Sequence, residues 1–217
     1  MTRETLERKE NELLDNILLL GSMVEKAILK SIEALGSRDL SASEDVIRED
    51  DAINEKRVTI EEEALVTIAT QQPMATDLRL LASILDIVTE LERMGDYAKG
   101  IARINLKLGD APLIKPLVDI PKMAEIAVDM LHRSLLAFIE QDPQLARQIH
   151  KEDDRIDDLY HLVYDELFEI MLNDRKKLDQ ANHLLWVAHN IERLADRVTN
   201  ICERTIFVAT GKLVELD

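Results

Sequence analysis

The stretch NIERLADRVTNICE, residues 190–203, has a close counterpart one hundred residues earlier, ELERMGDYAKGIAR, residues 90–103. Both contain the frame Glu-Arg-x-x-Asp, and both carry apolar residues at every third or fourth position. That spacing is typical of the buried face of an amphipathic α-helix. The two stretches therefore predict a helical chain in which one structural unit occurs twice.

The same apolar spacing extends outward from both stretches and predicts six long helices. The predicted helices lie at about 3–36, 39–71, 76–108, 117–140, 143–173 and 177–210. Asp39 and Asp142 have the residue type of N-caps, and Pro143 takes the first helical position, where its missing N–H costs nothing. Helices of this length are typical of an elongated bundle.

The repeat extends beyond the opening stretches. A shift of 103 residues places Asp39 on Asp142 and REDDAIN (48–54) on KEDDRID (151–157). The sequence therefore predicts an all-α fold of two tandem three-helix bundles, whose antiparallel helices are related by a pseudo-twofold repeat. Chance similarity between helical sequences is the alternative to such a duplication.

Three segments follow from this repeat. The N-terminal three-helix repeat is predicted at 1–108, a linker at 109–116, and the C-terminal three-helix repeat at 117–217. The linker reads GDAPLIKP, a composition that favours a loop. A chain of this length can bury one large core or two small ones.

Composition excludes several classes of protein. Six Gly, five Pro and 3% aromatic residues are too few for an all-β chain with many turns. A formal charge of −16 repels nucleic acid and anionic membranes, so neither is expected as a direct partner. Cys202 is the only cysteine, and the N-terminus lacks the apolar core of a signal peptide. We therefore expect a cytoplasmic protein.

The repeated frames are candidate metal ligands. Residues four apart lie on one face of a helix, so Glu92 faces Asp96 and Glu192 faces Asp196. Two carboxylates at that spacing repel each other, and a cation between them would remove the repulsion. A solvated acidic surface is the alternative, since an acidic chain contains many such pairs.

In each repeat, a second pair of oxygen-bearing side chains is predicted to lie opposite the Glu-Arg-x-x-Asp frame. If the second and third helices of each repeat form an antiparallel hairpin, four pairs of oxygen-bearing side chains lie at equal depth. These pairs are Asp50 with Asp96, Asn54 with Glu92, Asp153 with Asp196, and Asp157 with Glu192. Four oxygen ligands at one level suit a hard or intermediate cation.

The two copies are unequal. The second frame continues one turn further with Asn200 and Glu203, where the first has Gly100 and Arg103. Because Arg103 would repel a cation, we expect the C-terminal site to be the stronger one. Gly100 indicates either close approach of another helix or a tolerated neutral substitution.

Two histidines are candidate extra ligands of the C-terminal site. His161 follows Asp157 by one turn, and His189 precedes Glu192 by one turn. Imidazole would tilt the choice of ion toward Fe, Mn or Zn, whereas the oxygen ligands alone also suit Mg. Ordinary half-exposed helix residues are the alternative. His132, His150 and His183 have no comparable neighbours in the sequence.

The chain resembles the PhoU family, bacterial regulators of phosphate uptake. The resemblance spans essentially the whole chain and rests on the two three-helix repeats, the hairpin stretch QQPMATDLR (71–79) and the doubled Glu-Arg-x-x-Asp frame. Gly100 and Arg103 depart from the family pattern, which usually continues with Asn and an acid.

The resemblance implies a function that composition does not. PhoU-like proteins are cytoplasmic negative regulators of the phosphate-starvation response. They are expected to connect the ATPase subunit of the phosphate ABC transporter with a sensor histidine kinase, and so to meet the membrane only through partners. Some carry iron or other metal clusters on the acidic frames, and homodimers are common.

An enzyme and a purely structural bundle are the alternatives to a metal-responsive adaptor. A carboxylate-bridged di-metal enzyme would need paired Glu-x-x-His motifs, and the nearest approach is the single Asp158-x-x-His161. The sequence shows no nucleophile–base pair, and Cys202 lies on the apolar stripe of its helix. We therefore expect no catalytic activity.

Overall fold

The computed structural model describes residues 3–216, and all regular structure within that range is helical. The helices are α1 (Arg3–Ser37), α2 (Leu40–Gln71), α3 (Thr76–Leu108), α4 (Asp119–Ile139), α5 (Pro143–His150), α6 (Asp153–Asn173) and α7 (Leu178–Thr210), with a short 3₁₀ turn at Arg175–Lys177 before α7. The predicted all-α class is confirmed. None of the helices in this range is long and apolar enough to cross a membrane.

The predicted fifth helix, 143–173, is interrupted. It ends at His150, turns at Lys151 and Glu152, and resumes at Asp153 as α6. The charges suit two separate helix ends: the basic Arg147 and His150 lie in the last turn of α5, and Asp153 and Asp154 lie in the first turn of α6. Each placement is favourable next to the helix dipole. Helical spacing alone did not reveal the interruption.

One corner of the chain is built twice with the same geometry. Between α1 and α2, the Asp39 amide donates to Ala34 O at 2.9 Å, and between α4 and α5 the Asp142 amide donates to Ala137 O at 2.9 Å. Both aspartates cap the following helix, as predicted. The residue before each aspartate is left-handed, with φ of 59° and 51°. The duplication therefore reaches the level of individual hydrogen bonds.

The helices α3 and α7 are the centre of the packing. α3 packs against α1, α2 and α7, while α7 packs against α3, α4, α5 and α6. Their contacts are reciprocal: Asn200 on α7 donates to Glu90 on α3 at 3.1 Å, and Asn190 on α7 lies against Gly100 on α3. Such reciprocity is the signature of a twofold relation. The predicted linker, 109–116, has no helical structure, and the non-helical segment extends to residue 118. The domain limits 1–108 and 117–217 stay a prediction.

Glu10 gives the fold a pH dependence. It is buried on α1, and burial together with the charge of Asp77 raises its pKa from 4.5 to about 7. The folded chain therefore holds a proton between these values that the unfolded chain has released. Stability contributed by this group is full below pH 4.5 and is lost as the pH rises through about 7.

We expect Glu10→Gln to be more stable than the parent at pH 8, by about 1–2 kcal/mol, and to match it near pH 5. Urea unfolding at both pH values measures the difference. Glu44→Gln, an exposed change on α2, is the control and should leave the free energy of unfolding unchanged at both pH values. A constant offset between Glu10→Gln and the parent at both pH values would contradict this account.

Candidate functional site

The four carboxylates predicted for the C-terminal site lie on the facing sides of α6 and α7. Burial, followed by the charges of Asp157 and Asp196, raises the pKa of Asp153 to about 6. Burial and the charge of Asp196 also raise the pKa of Asp157. The mutual repulsion shows that the structure brings Asp153, Asp157, Glu192 and Asp196 into one electrostatic cluster, which we call the C-terminal acidic set.

Glu192 has one carboxylate oxygen without a hydrogen bond. Burial and the charge of Asp196 raise its pKa, and its Oε2 atom is buried without a hydrogen-bond partner among the described residues. His189 Nδ1 lies 3.2 Å from that oxygen but outside hydrogen-bond geometry. A buried carboxylate oxygen without a donor is the kind of group that a bound cation would satisfy.

The two predicted histidines border this acidic set through Tyr160. Its ring centroid is 5.9 Å from that of His161 and 6.3 Å from that of His189. His161 lowers the pKa of Asp157 by its charge, so the two side chains are close. Both histidines are therefore near the carboxylates. Their role as ligands stays a prediction.

Asn200 and Glu203 line a groove beside the acidic set, of about 280 Å³. Asp153 and Asp196 line the same groove, and so does His150. Asn200 also donates to Glu90 on α3 at 3.1 Å, and Glu203 accepts from the amide of Leu216 at 2.9 Å. Both predicted ligands therefore already make hydrogen bonds, Asn200 with the N-terminal repeat and Glu203 with the C-terminal segment.

His150 is a candidate that sequence reasoning missed. It closes α5 beside Asp153, lowers the pKa of that carboxyl by its charge, and lies 3.4 Å from the Thr199 hydroxyl through Nδ1. Spacing along one helix gave no signal for this pair, because α5 ends at His150 and α6 begins at Asp153, so the two residues meet across the turn.

The N-terminal set differs because it contains its own cation. Asp50 is 3% exposed, and Lys99 Nζ lies 2.5 Å from its Oδ2 atom. Asn54 donates to the same oxygen at 3.1 Å. Burial and the charge of Asp96 raise the pKa of Glu92, so the predicted neighbours do meet. The ammonium group occupies the place beside Asp50 that the sequence assigned to a metal.

Lys99 is a further difference between the two copies and favours the predicted weaker N-terminal site. Arg103 was expected to repel the metal, but it lines a different groove between α3 and α7. The residue that neutralises the first copy is Lys99, and its counterpart one hundred residues later is Thr199. This difference was visible in the aligned repeats, but the reach of Lys99 across to α2 was not.

No group of three or more His, Cys, Asp or Glu side chains in residues 3–216 is arranged to hold a metal ion. Arg193 also pairs with Asp196 at 2.9 Å. The C-terminal acidic set supplies the ligand chemistry of a hard cation, but its side chains would have to rotate to surround one. Metal binding by any of the predicted residues therefore stays a prediction.

Cys202 lies in the core, as its place on the apolar stripe predicted. It is fully buried, and burial followed by the charge of Glu203 raises the pKa of its thiol to about 12. A thiol in this state is a poor nucleophile.

The chain matches a family model described as the PhoU domain twice, at residues 17–104 and 120–205. It is 38% identical over 218 residues to the phosphate-specific transport system accessory protein PhoU homolog of Clostridium acetobutylicum, covering all of both chains. The homolog of Aquifex aeolicus is 38% identical over 201 residues, covering 93% of this chain and 91% of the relative.

Two solved structures have the same fold. The phosphate transport system regulatory protein PhoU from Streptococcus pneumoniae matches with a TM-score of 0.90 at 32% identity, covering 97% of this chain and 100% of that one. PhoU from Pseudomonas aeruginosa matches with a TM-score of 0.89 at 29% identity, covering 95% and 99%. The similarity in sequence and fold extends across both repeats.

We expect Lys99→Met to destabilise the protein by about 2–4 kcal/mol, because it leaves the buried Asp50 carboxylate without its cation. Urea unfolding measures the loss. Lys122→Met, which removes a surface pair with Asp119, should cost less than about 1 kcal/mol. Adding Asp50→Asn to Lys99→Met should recover part of the loss. If Lys99→Met cost no more than Lys122→Met, the ion pair would not hold the N-terminal set.

Proposed function

This chain belongs to the PhoU family, and from that premise we propose that it is an accessory regulator of phosphate transport. Its relatives are named as accessory proteins of the phosphate-specific transport system. The specific proposal is negative regulation of phosphate uptake and of the phosphate-starvation response. The protein would act as a helical adaptor between the ATPase subunit of the transporter and a sensor histidine kinase.

The adaptor is proposed to respond to a metal ion at the C-terminal acidic set. The observation that supports this proposal is the cluster of Asp153, Asp157, Glu192 and Asp196, in which burial and then mutual repulsion raise pKa values and one Glu192 oxygen has no hydrogen-bond donor among the described residues. A divalent or ferric ion would offset the repulsion between the carboxylates and would bind the Glu192 oxygen that lacks a donor. Fe, Mn, Mg and Zn all suit this mixture of carboxylates with nearby imidazoles.

An exposed apolar strip on α6 supports a protein partner. Tyr164 is 40% exposed, Phe168 48% and Leu172 71%, and the rings of Tyr164 and Phe168 stack at 6.0 Å. Acidic residues, among them Asp165 and Glu169, surround them. Large apolar side chains among charges of one sign are typical of docking surfaces. The partner surface that fits is a basic one with apolar anchors.

Catalysis is not part of the proposal. The chain has no Glu-x-x-His motif, which the di-metal alternative requires in two copies. Cys202 is buried with a raised thiol pKa. The family is known through its accessory role, and no arrangement of described side chains favours a reaction.

We expect Mn²⁺ to bind the parent protein and to raise its melting temperature by several degrees, because an ion that binds only the folded state stabilises it. Glu192→Gln/Asp196→Asn should abolish this effect, whereas Glu92→Gln/Asp96→Asn should retain it. Affinity should fall as the pH is lowered through about 6, because Asp153 must lose its proton to bind the ion. Titration calorimetry and thermal unfolding measure both effects. Equal loss in the two double variants would refute the assignment to the C-terminal set.

We expect the protein to form a complex with the transporter ATPase subunit or the isolated sensor domain of the kinase at tens of micromolar, an affinity usual for signalling contacts. Phe168→Asp should weaken that complex at least tenfold, since it places a charge in the apolar strip. Val66→Asp, which places the same charge at an exposed apolar position on α2, is the control. Gel filtration and interferometry measure the complexes. If neither partner bound the parent protein, the adaptor role would be wrong.

A further inference from the structure

A basic groove runs between α3 and α7 on this acidic protein. Its volume is about 430 Å³, within the range of small-molecule sites. The residues that matter for its chemistry are Gly100, Arg103 and Lys107 from α3, and Asn182, Trp186 and Asn190 from α7. No acidic side chain lines it. On a chain with a formal charge of −16, that is an unusual local composition.

The basic groove has a mate at the other end of the α3–α7 pair, of about 440 Å³. The two are related by the repeat, because a shift of one hundred residues places Glu90 on Asn190 and Asn200 on Gly100. Ion pairs cross the mate groove. Arg197 lies 3.3 Å from Glu90, and Arg204 lies 3.4 Å from Asp86.

Every acid of the mate groove is replaced in the basic groove. Asp86 corresponds to Trp186, Glu90 to Asn190, and Glu203 to Arg103. The mate therefore has internal partners for its arginines, and the basic groove has none for its cations. The side chains of Arg103 and Lys107 make no hydrogen bond or ion pair within residues 3–216. Two unpaired cations facing one groove favour an anionic ligand.

Trp186 and the two asparagines give the groove a second kind of contact. Trp186 is the only tryptophan of the chain and is 54% exposed. An aromatic face open to solvent stacks on planar rings such as nucleobases. Asn182 and Asn190 carry amide donors and acceptors that suit the edge of such a ring.

Gly100 shapes the groove from the α3 side. A Cβ atom there would lie 3.1 Å from Asn190 Nδ2, which is tight contact. The absent side chain lets the Asn190 amide lie directly against α3 at the floor of the groove. The close helix approach predicted for Gly100 is therefore present. At the same position in the mate groove, Asn200 fills the space.

We propose that the basic groove binds a free nucleotide, with its phosphate on Arg103 and Lys107 and its base stacked on Trp186. Inorganic phosphate would use the cations but not the tryptophan, and a nucleoside would use the tryptophan but not the cations. A nucleic acid polymer is disfavoured by the acidic surface outside the groove. The groove borders the proposed metal site, because the ring of Trp186 lies 5.6 Å from that of His189, but its cations and asparagines belong to neither the metal nor the partner surface.

Trp186 fluorescence and calorimetry test the proposal on the full chain. AMP, ATP, GMP and GTP are titrated in EDTA, which prevents metal-mediated binding at the acidic set, with inorganic phosphate and adenosine as comparison ligands. At least one nucleotide should quench Trp186 and bind at least about tenfold more tightly than either comparison ligand, which corresponds to about 1.4 kcal/mol.

Matched variants locate the binding. Arg103→Ala/Lys107→Ala should weaken nucleotide binding at least about tenfold, whereas Lys26→Ala/Arg147→Ala, which removes two exposed cations elsewhere, should change it less than about twofold. Asn190→Asp, which restores an acid where the mate groove has Glu90, should also weaken binding, and circular dichroism confirms folding of each variant.

Three results would overturn the proposal. The first is the absence of nucleotide binding up to about 5 mM, which corresponds to a binding free energy weaker than about 3 kcal/mol. The second is binding of inorganic phosphate as tight as that of nucleotides. The third is undiminished nucleotide binding by Arg103→Ala/Lys107→Ala. A dimer that buries Trp186 and excludes nucleotides would produce the first of these results.

Discussion

The antiparallel packing of α3 against α7 is the contact on which the rest of the molecule depends. Each of these helices is the most connected element of its own half, and each buries an apolar stripe against the other. Because the contact is reciprocal, a residue at one end of the pair has a counterpart at the other. Asn200 with Glu90 and Asn190 with Gly100 are the clearest case. The remaining helices pack around this pair. Each acidic set lies between one helix of the pair and its hairpin partner, α2 with α3 and α6 with α7.

Once that framework is duplicated, single side chains make the copies chemically different. Lys99 pairs with the buried Asp50 of the first acidic set, and Thr199 stands in place of that lysine in the second. Burial, followed by the charges of Asp157 and Asp196, raises the pKa of Asp153 to about 6. The grooves diverge in the same way, since the mate groove pairs its arginines with Glu90 and Asp86, and the basic groove pairs neither of its cations. In each comparison we propose a ligand for the copy that lacks an ion pair present in the other copy.

Local signals made much of this predictable from the sequence. Helical spacing predicted the helices, residue type predicted the caps Asp39 and Asp142, and the repeated frame predicted which carboxylates would meet. What the sequence left open depends on contacts between distant helices. The reach of Lys99 to Asp50 and the tie from Asn200 to Glu90 depend on how each helix is rotated about its axis, which spacing along one helix does not determine. The break after His150 was missed because the apolar spacing continues across it while the charges change.

We propose that the two copies bind a metal unequally because Lys99 pairs with the buried Asp50 of one acidic set, whereas the other has Thr199 in place of that lysine. Anomalous scattering from crystals grown with Mn²⁺ tests it most directly, since it locates the ion without relying on stability or activity. We expect a peak between α6 and α7 beside Glu192 and Asp196, and none between α2 and α3 beside Glu92 and Asp96. Peaks of equal height at both hairpins, or a peak only at the N-terminal one, would contradict it.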